Sequence, residues 1–365
     1  MNPNPNNPAI PVVLAGCGAV SRFFYAPALT ALEASGLLRV EALADPSPAS
    51  LAVLAASFPR ARQTARLEDN ALSGRLVIVA SPPKFHAAAA LHALANGAAV
   101  LCEKPMANSV AEAETMAAAA RESGALLAVG LYKRFFPACE ALKGLIEQQP
   151  LGPLRFFTIA EGGKFGWQAA SDSFFRKSVT PGGVLLDIGV HVLDLLLWWL
   201  GEPDSLLYRD DAMGGQEANC HLDLRYADGV YGEVRLSRDW PTRNEYHFFF
   251  ERGVVRYKVN EANHLEIHAD GMPILSGTLH GMSPEPGRLQ LGAPLRTNPQ
   301  SFIEQLRNVA AAVHGRAPLR VPGEEGVRSL RLIERCYAER AGLLDMPWLT
   351  PAETAAAEKT ASSNP

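Results

Sequence analysis

VVLAGCGAVSRFFYAPAL, residues 12–29, is the stretch whose reading decides the fold. Apolar residues run straight into Gly16-Cys17-Gly18, and a helix-like segment, 21–36, follows with Gly36 as its stop. A strand, a glycine turn and a helix in that order make the opening of a dinucleotide-binding unit. Gly16-Cys17-Gly18-Ala19-Val20-Ser21 fits G-x-G-x-x-G except at its last position, where Ser is small enough for a helix to approach a strand. The first glycine permits a tight turn and the second lets a pyrophosphate approach the backbone. The helix N-terminus then offers free N–H groups and the positive end of its dipole. A glycine turn that only joins two elements is the alternative.

The residues that follow repeat the pattern. Apolar runs at 39–45, 75–81, 98–105 and 125–130 alternate with helical segments at 49–58, 82–97 and 109–124. Pro sits in the first turn of the 82–97 segment, Gly97 ends it, and Ser109 with Glu112 is spaced as a capping box. Continuous apolar strands alternating with helices predict a parallel sheet covered on both faces, a doubly wound α/β domain. Asp45 ends the second run, 27 residues past Gly18. An acid there would accept hydrogen bonds from the adenosine ribose and repel a 2′-phosphate, and Asp45-Pro46-Ser47-Pro48 holds no Arg to welcome one. The cofactor expected on that ground is NAD rather than NADP.

From about residue 131 the pattern changes. A helix over 137–148, a strand over 154–165 and a helix over 184–200 are followed by strand-like runs at 217–227, 230–238, 245–251 and 253–259. Short turns between them predict a largely antiparallel sheet. Helices near 299–314 and 323–341 close the domain. The expected organisation is a disordered tail at 1–9, a Rossmann domain at 10–130, an α+β substrate and oligomerisation domain at 131–345, and a flexible tail at 346–365.

Composition narrows the function. Of 365 residues 20% are charged, and the net charge of −4 gives no pull toward nucleic acid or anionic membrane. Cys17, Cys102, Cys139, Cys220 and Cys336 form no Cys-x-x-Cys pair, so reduced thiols in a cytoplasmic protein are expected, without a metal site. The N-terminus lacks a secretory apolar core, and the apolar segment 184–201 carries two Asp and one His and is too short to span a membrane.

That segment holds the second constellation. Asp187, His191 and Asp194 are spaced i, i+4, i+7, which on a helix sets them within about 60° of one another. A polar stripe on a buried helix either lines a cavity or is satisfied inside the core, as a buried His bonded to a carboxylate. Glu103-Lys104-Pro105 ends a strand at the carboxyl edge of the parallel sheet, where ligands bind, although a solvated surface Lys fits the position equally.

AGCGAVS (15–21), ASPPKFHAAAALHALANGAAVLCEKPMA (80–107), GLYKRFFP (130–137) and PGGVLLDIGVHVLDLLLWWLG (181–201) together resemble the Gfo/Idh/MocA family of oxidoreductases, named for glucose–fructose oxidoreductase and inositol dehydrogenase. The order and spacing match over roughly residues 10–345, with Ser21 the departure from the third glycine. The resemblance implies an N-terminal Rossmann domain and a C-terminal domain whose large open sheet forms a homodimer or homotetramer interface. It implies that Gly16, Gly18, Ala19, Val20, Asp45, Ser81, Pro82, His86, Glu103 and Lys104 surround the cofactor, and that Lys104, Asp187 and His191 meet at the nicotinamide. The implied chemistry is hydride transfer between nicotinamide and a carbinol carbon of a sugar or polyol, with His191 as general base and Lys104 stabilising the alkoxide. Substrate selection is expected from 164–183, with Trp167 stacking on a sugar face and Arg176 or Lys177 meeting an acid, and from Tyr132, Lys133 and Arg134. Three other functions remain open: an NAD-dependent glycosidase working by transient oxidation, a reductase of a non-sugar carbonyl or double bond, and a non-catalytic NAD-binding regulator.

Overall fold

The computed structural model describes residues 8–166, 175–259, 261–271, 275–278 and 299–345, together with residue 355. Trp167 and nearly all of the two expected tails lie outside the described residues. The chain divides into two compact units, one of residues 1–135, 168–173 and 286–330, the other of 136–167, 174–285 and 331–365.

The first unit is built on six parallel strands: β1 (Ile10–Ala15), β2 (Leu38–Ala44), β3 (Arg62–Thr64), β4 (Leu76–Val79), β5 (Ala99–Cys102) and β6 (Leu127–Val129). Their order, β3-β2-β1-β4-β5-β6, is the dinucleotide-binding order, with the switch point between β1 and β4. Val77, Ile78 and Leu101 are completely buried, as strands covered on both faces must be. Four helices alternate with them: α1 (Ala26–Ala34), α2 (Pro48–Ala55), α3 (His86–Ala95) and α4 (Val110–Ser123). Ser109 caps α4 by accepting from the Glu112 N–H at 3.3 Å, while the Glu112 carboxylate accepts from the Asn108 N–H.

The second unit carries β7 (Leu154–Gly162) and two helices, α5 (Pro137–Gln148) and α6 (Val190–Leu200). Its remaining strands are β8 (Ser205–Asp210), β9 (Asn219–Arg225), β10 (Tyr231–Ser237), β11 (Glu245–Phe250), β12 (Gly253–Lys258), β13 (His264–Ala269), β14 (Leu275–Thr278) and β15 (Arg340–Leu343). They form one nine-stranded sheet, β14-β13-β12-β11-β7-β10-β9-β8-β15, antiparallel except at β7–β10 and β8–β15. One face carries Phe157, Leu222, Val234 and Phe248, all fully buried, and Trp199 of α6 meets Phe248 edge-on at 5.4 Å. Burying each such side chain stabilises by about 1.5–3 kcal/mol, which fixes α6 to this face. The other face carries half-exposed aromatics, with Phe156 4.5 Å from Tyr231 and 5.4 Å from Phe249.

Two further helices lie among the described residues, α7 (Gln300–Val313) and α8 (Gly323–Ala338). A single cut at residue 131 would place α7 with the antiparallel sheet. It packs instead into the core of the first unit, where its Phe302 stacks on Phe24 at 4.9 Å and on Tyr132 at 5.0 Å. The helix expected to run to residue 341 stops at Ala338, because Arg340–Leu343 extends to pair with β8.

Candidate active site

The glycine turn follows β1. Gly16 has φ +99°, and a Cβ there would lie 2.5 Å from the backbone carbon of Ala80 and 2.5 Å from the Ser81 nitrogen. Only glycine fits that approach of the β1 and β4 ends. A Cβ on Gly18 would meet nothing within 4 Å, so the backbone there borders open space, as a phosphate-binding turn requires. Ser21 is fully buried, and its hydroxyl donates to the Gly16 carbonyl at 2.6 Å. The residue in the third-glycine place thus locks the turn from inside. Asp45 braces it from β2: one carboxylate oxygen accepts from the Cys17 N–H and the other from the Ser47 N–H, both at 2.7 Å. Each oxygen keeps a second lone pair for a ribose hydroxyl. Burial, and then the Asp45 charge, push the Cys17 thiol up to about 12, so it is an inert filler beneath the turn.

The helix after the turn begins with a π turn, Ser21–Tyr25, which runs into α1. Such turns insert one residue and are frequent at functional sites. Here the π turn sends the Tyr25 hydroxyl to the buried Glu103 carboxylate at 2.7 Å. Glu103 ends β5, its other oxygen accepts from the Lys104 N–H at 3.0 Å, and burial raises its pKa. Lys104 therefore stands at the carboxyl end of the sheet with its backbone held. His86 is buried, with one ring nitrogen 2.9 Å from the Pro105 carbonyl and the other 2.7 Å from the Ser81 carbonyl. A neutral ring donates to only one of them, and burial lowers the His86 pKa. The ring thus joins the loop at Ser81 to the loop at Pro105 at the sheet's carboxyl edge.

In the second unit, Asp187 lies in another π turn, Leu185–Gly189, which precedes α6. The added residue breaks the uniform 100° step behind the expected stripe. Asp187 is 19% exposed, whereas His191 and Asp194 are 5% and 1% exposed. Arg238, just past β10, pairs with the Asp187 carboxylate at 3.2 Å. Its guanidinium also stands 5.7 Å from the Phe165 ring centre and 5.9 Å from that of Phe175, a cation–π clamp in a buried position. A charge so enclosed needs a carboxylate, and Asp187 supplies it.

Glu217 anchors the start of this helix. One of its carboxylate oxygens accepts from the Gly183 N–H, the Leu185 N–H and the Tyr337 hydroxyl at 2.8–3.0 Å. A Cβ on Gly183 would stand 1.9 Å from the Glu217 carbonyl oxygen. Beside it lies a cavity of about 450 Å³, lined by Phe165, Phe175, Gln216, Glu217 and Arg238 among others, large enough for a small ring substrate. Burial raises the Glu217 pKa against the opposing hydrogen bonds. A carboxyl raised by folding stabilises the protonated form, so stability falls as pH rises from the ordinary carboxylate range through the raised pKa. Glu217→Gln keeps the acceptor and removes the charge. Its melting temperature is expected to match the parent near pH 4 and to exceed it at pH 8, read by differential scanning fluorimetry. A constant difference across that range would remove Glu217 as the cause. Among the described residues no group of three or more His, Cys, Asp or Glu is arranged to hold a metal ion, and no helix is long and apolar enough to cross a membrane.

A family model described as "Oxidoreductase family, NAD-binding Rossmann fold" matches residues 10–131, and the model of the GFO/IDH/MocA C-terminal domain matches 139–256. The chain belongs to the Gfo/Idh/MocA family. It is similar to trans-1,2-dihydrobenzene-1,2-diol dehydrogenase of Sus scrofa, at 35% identity over 159 residues, 42% of this chain and 45% of that protein. It is also similar to the rhizopine catabolism protein MocA of Rhizobium meliloti, at 30% identity over 217 residues, 57% of this chain and 66% of that protein. The matches thus span about half the length of the diol dehydrogenases and under two thirds of MocA. Among solved structures, levoglucosan dehydrogenase in complex with NADH and levoglucosan shares the fold with a TM-score of 0.77 at 18% identity, over 91% of this chain and 97% of that one. WlbA dehydrogenase of Bordetella pertussis, in complex with NADH and UDP-GlcNAcA, does so with a TM-score of 0.72 at 23% identity, over 91% and 96%.

Of the other residues expected at the site of this Gfo/Idh/MocA chain, Tyr132, Lys133, Arg134, Arg176 and Lys177 fall among the described residues. Arg134 is 3% exposed and paired with Glu325 of α8 at 2.6 Å, both in the first unit. Lys133 is equally buried, and Tyr132 stacks on Phe302. Arg176 and Lys177 are exposed, and Trp167 lies outside the described residues. Sequence reasoning missed Tyr25, Arg238 and Glu217. A buried acid or base inside an apolar run is the available signal for such residues, and Arg238 and Glu217 lie at the ends of such runs, where charge reads as solvated turn.

Proposed function

We propose that the chain is an NAD-dependent oxidoreductase that transfers hydride between the nicotinamide and a carbinol carbon of a sugar, polyol or cyclic diol. The observation that carries this reading is the glycine turn. Gly16 closes against the β4 end, Gly18 opens on free space, and Lys104 stands two strands away at the same edge of the sheet. Gly16, Gly18, Ala19 and Val20 would hold the pyrophosphate, Asp45 the adenosine ribose, and Ser81 and Pro82 the path toward the nicotinamide. Bound NAD supplies the hydride acceptor.

The chain's own residues handle the proton and the charge. His191 takes the substrate hydroxyl proton as hydride leaves. Lys104 stabilises the developing alkoxide with its ammonium. Asp187, held by Arg238, orients the imidazole or accepts from a neighbouring substrate hydroxyl. Arg176 takes an acidic group where the substrate has one. The diol dehydrogenase relatives and the levoglucosan and UDP-sugar complexes of the structural neighbours support a ring with adjacent hydroxyls as the substrate class. The half-exposed aromatics on the outer sheet face, Phe156, Tyr231 and Phe249, favour a homodimer or homotetramer through that face. Five buried free cysteines favour a reducing compartment, the cytoplasm.

A screen of sugars, sugar acids, inositols, nucleotide sugars and cyclic diols with NAD, read by NADH absorbance, tests the reading. Net NADH formation is expected; its absence with every class would sink it. Net turnover of NAD also separates this chemistry from glycoside cleavage by transient oxidation. Cofactor choice has its own test. NAD is expected to bind more tightly than NADP, and Asp45→Ala to narrow the gap by removing ribose hydrogen bonds and charge repulsion. Calorimetric titration that finds NADP the tighter ligand of the parent would refute this.

A further inference from the structure

The buried Tyr25–Glu103 pair has no part in the chemistry just described. Tyr25 is fully buried, and its ring is fixed edge-on to Phe302 at 5.1 Å. Its hydroxyl donates to one oxygen of Glu103, and the second oxygen accepts from the Lys104 N–H. The third side of that carboxyl is closed by Gly130, where an added Cβ would stand 2.9 Å from the carboxyl carbon. The group is therefore trapped between a phenol, a backbone amide and a glycine that leaves no spare room. A buried carboxyl with two committed oxygens is a rigid strut. One end of the strut is the backbone of Lys104. The other is the last residue of the π turn that follows Gly18.

We propose that Tyr25 is a positioning residue for Lys104, acting through Glu103, and that the π turn ties the lysine to the segment that receives the pyrophosphate. The proposal rests on Lys104 acting in the hydride-transfer site. A shift of the Tyr25 ring moves the carboxyl, and with it the strand end from which the lysine projects. No proton or hydride passes through the pair; its effect is geometric, and misplacement of a reacting group by a fraction of an ångström lowers the rate of the chemical step more than the affinity.

The test is a double-mutant cycle in the full chain, with the fastest substrate of the screen above as the probe, starting from trans-1,2-dihydrobenzene-1,2-diol and levoglucosan, and NADH fluorescence as the binding readout. Tyr25→Phe is expected to lower kcat about tenfold, the size of one buried hydrogen bond, while the Kd for NADH stays within about twofold. Gly130→Ala, which leaves Tyr25 intact and displaces the same carboxyl, is expected to give the same split and guards against a folding failure of Tyr25→Phe. In a Lys104→Ala background, Tyr25→Phe is expected to cost nothing further, because residues acting as one unit are not additive. An undiminished tenfold loss in that background overturns the proposal alone, as does a variant that weakens NADH binding at unchanged kcat. A Lys104→Ala protein at full rate, or a parent that turns over no substrate class of the screen above, overturns the reading of the site and the proposal with it.

Discussion

His191→Ala is expected to lower kcat about 10²–10⁴-fold, the usual contribution of a general base. The imidazole is 5% exposed on a helix whose other buried residues are Val, Leu, Trp and Asp194, and Asp187, paired with Arg238, lies four positions before it. The variant should also lose the pH–rate limb that reports deprotonation of the base, since an imidazole is the side chain that ordinarily titrates near neutrality. NADH binding should survive nearly unchanged, because the glycine turn and Asp45 belong to the other unit. Lys104→Ala should be slow too but should retain that limb. The measurement is a pH profile of kcat/KM for both variants beside the parent. If His191→Ala keeps the limb and the rate while Lys104→Ala loses the limb, the roles are reversed and the lysine is the base.

The second large effect belongs to the glycine turn, where two adjacent substitutions are expected to fail for different reasons. Gly16→Ala places a methyl group 2.5 Å from two backbone atoms at a φ of +99°. The strained backbone alone costs about 1–2 kcal/mol, and the collision adds to it. A fall in melting temperature of about 5 °C or more is therefore expected, with NADH binding lost as well. Gly18→Ala meets nothing within 4 Å and should leave the melting temperature within a degree or two of the parent. It should nevertheless weaken NADH binding at least tenfold, because the methyl group occupies the space the pyrophosphate needs. Unchanged NADH affinity in Gly18→Ala, by fluorescence titration, would show that the pyrophosphate does not lie over this turn.

Much of the first unit was legible in the sequence because parallel strands write themselves locally. Ile10–Ala15, Leu76–Val79 and Ala99–Cys102 are continuous apolar runs because both of their faces are buried, and the Pro, Ser and Gly that bound the helices act within a turn of where they stand. The family resemblance rested on the same local features, the glycine turn, Glu103-Lys104-Pro105 and Asp187 with His191. What the sequence left dark depends on partners far along the chain. Arg62–Thr64 is too short and polar, and Arg340–Leu343 too short and glycine-interrupted, to read as strands, and they become strands only because β2 and β8 offer them a ladder. Helix α7 reads as a closing helix of the second domain, yet its Phe302 fills the gap between Phe24, Tyr25 and Tyr132. Nothing local pairs Arg134 with Glu325, 191 positions away. The same distance hides Tyr25 from Glu103, 78 positions on, and Arg238 from Asp187, 51 positions back. Periodicity and turn chemistry act over a few residues and so determine which elements form. Pairings between buried charges and hydroxyls are made only when those elements pack, and it is the tertiary structure that decided which buried polar side chains meet one another.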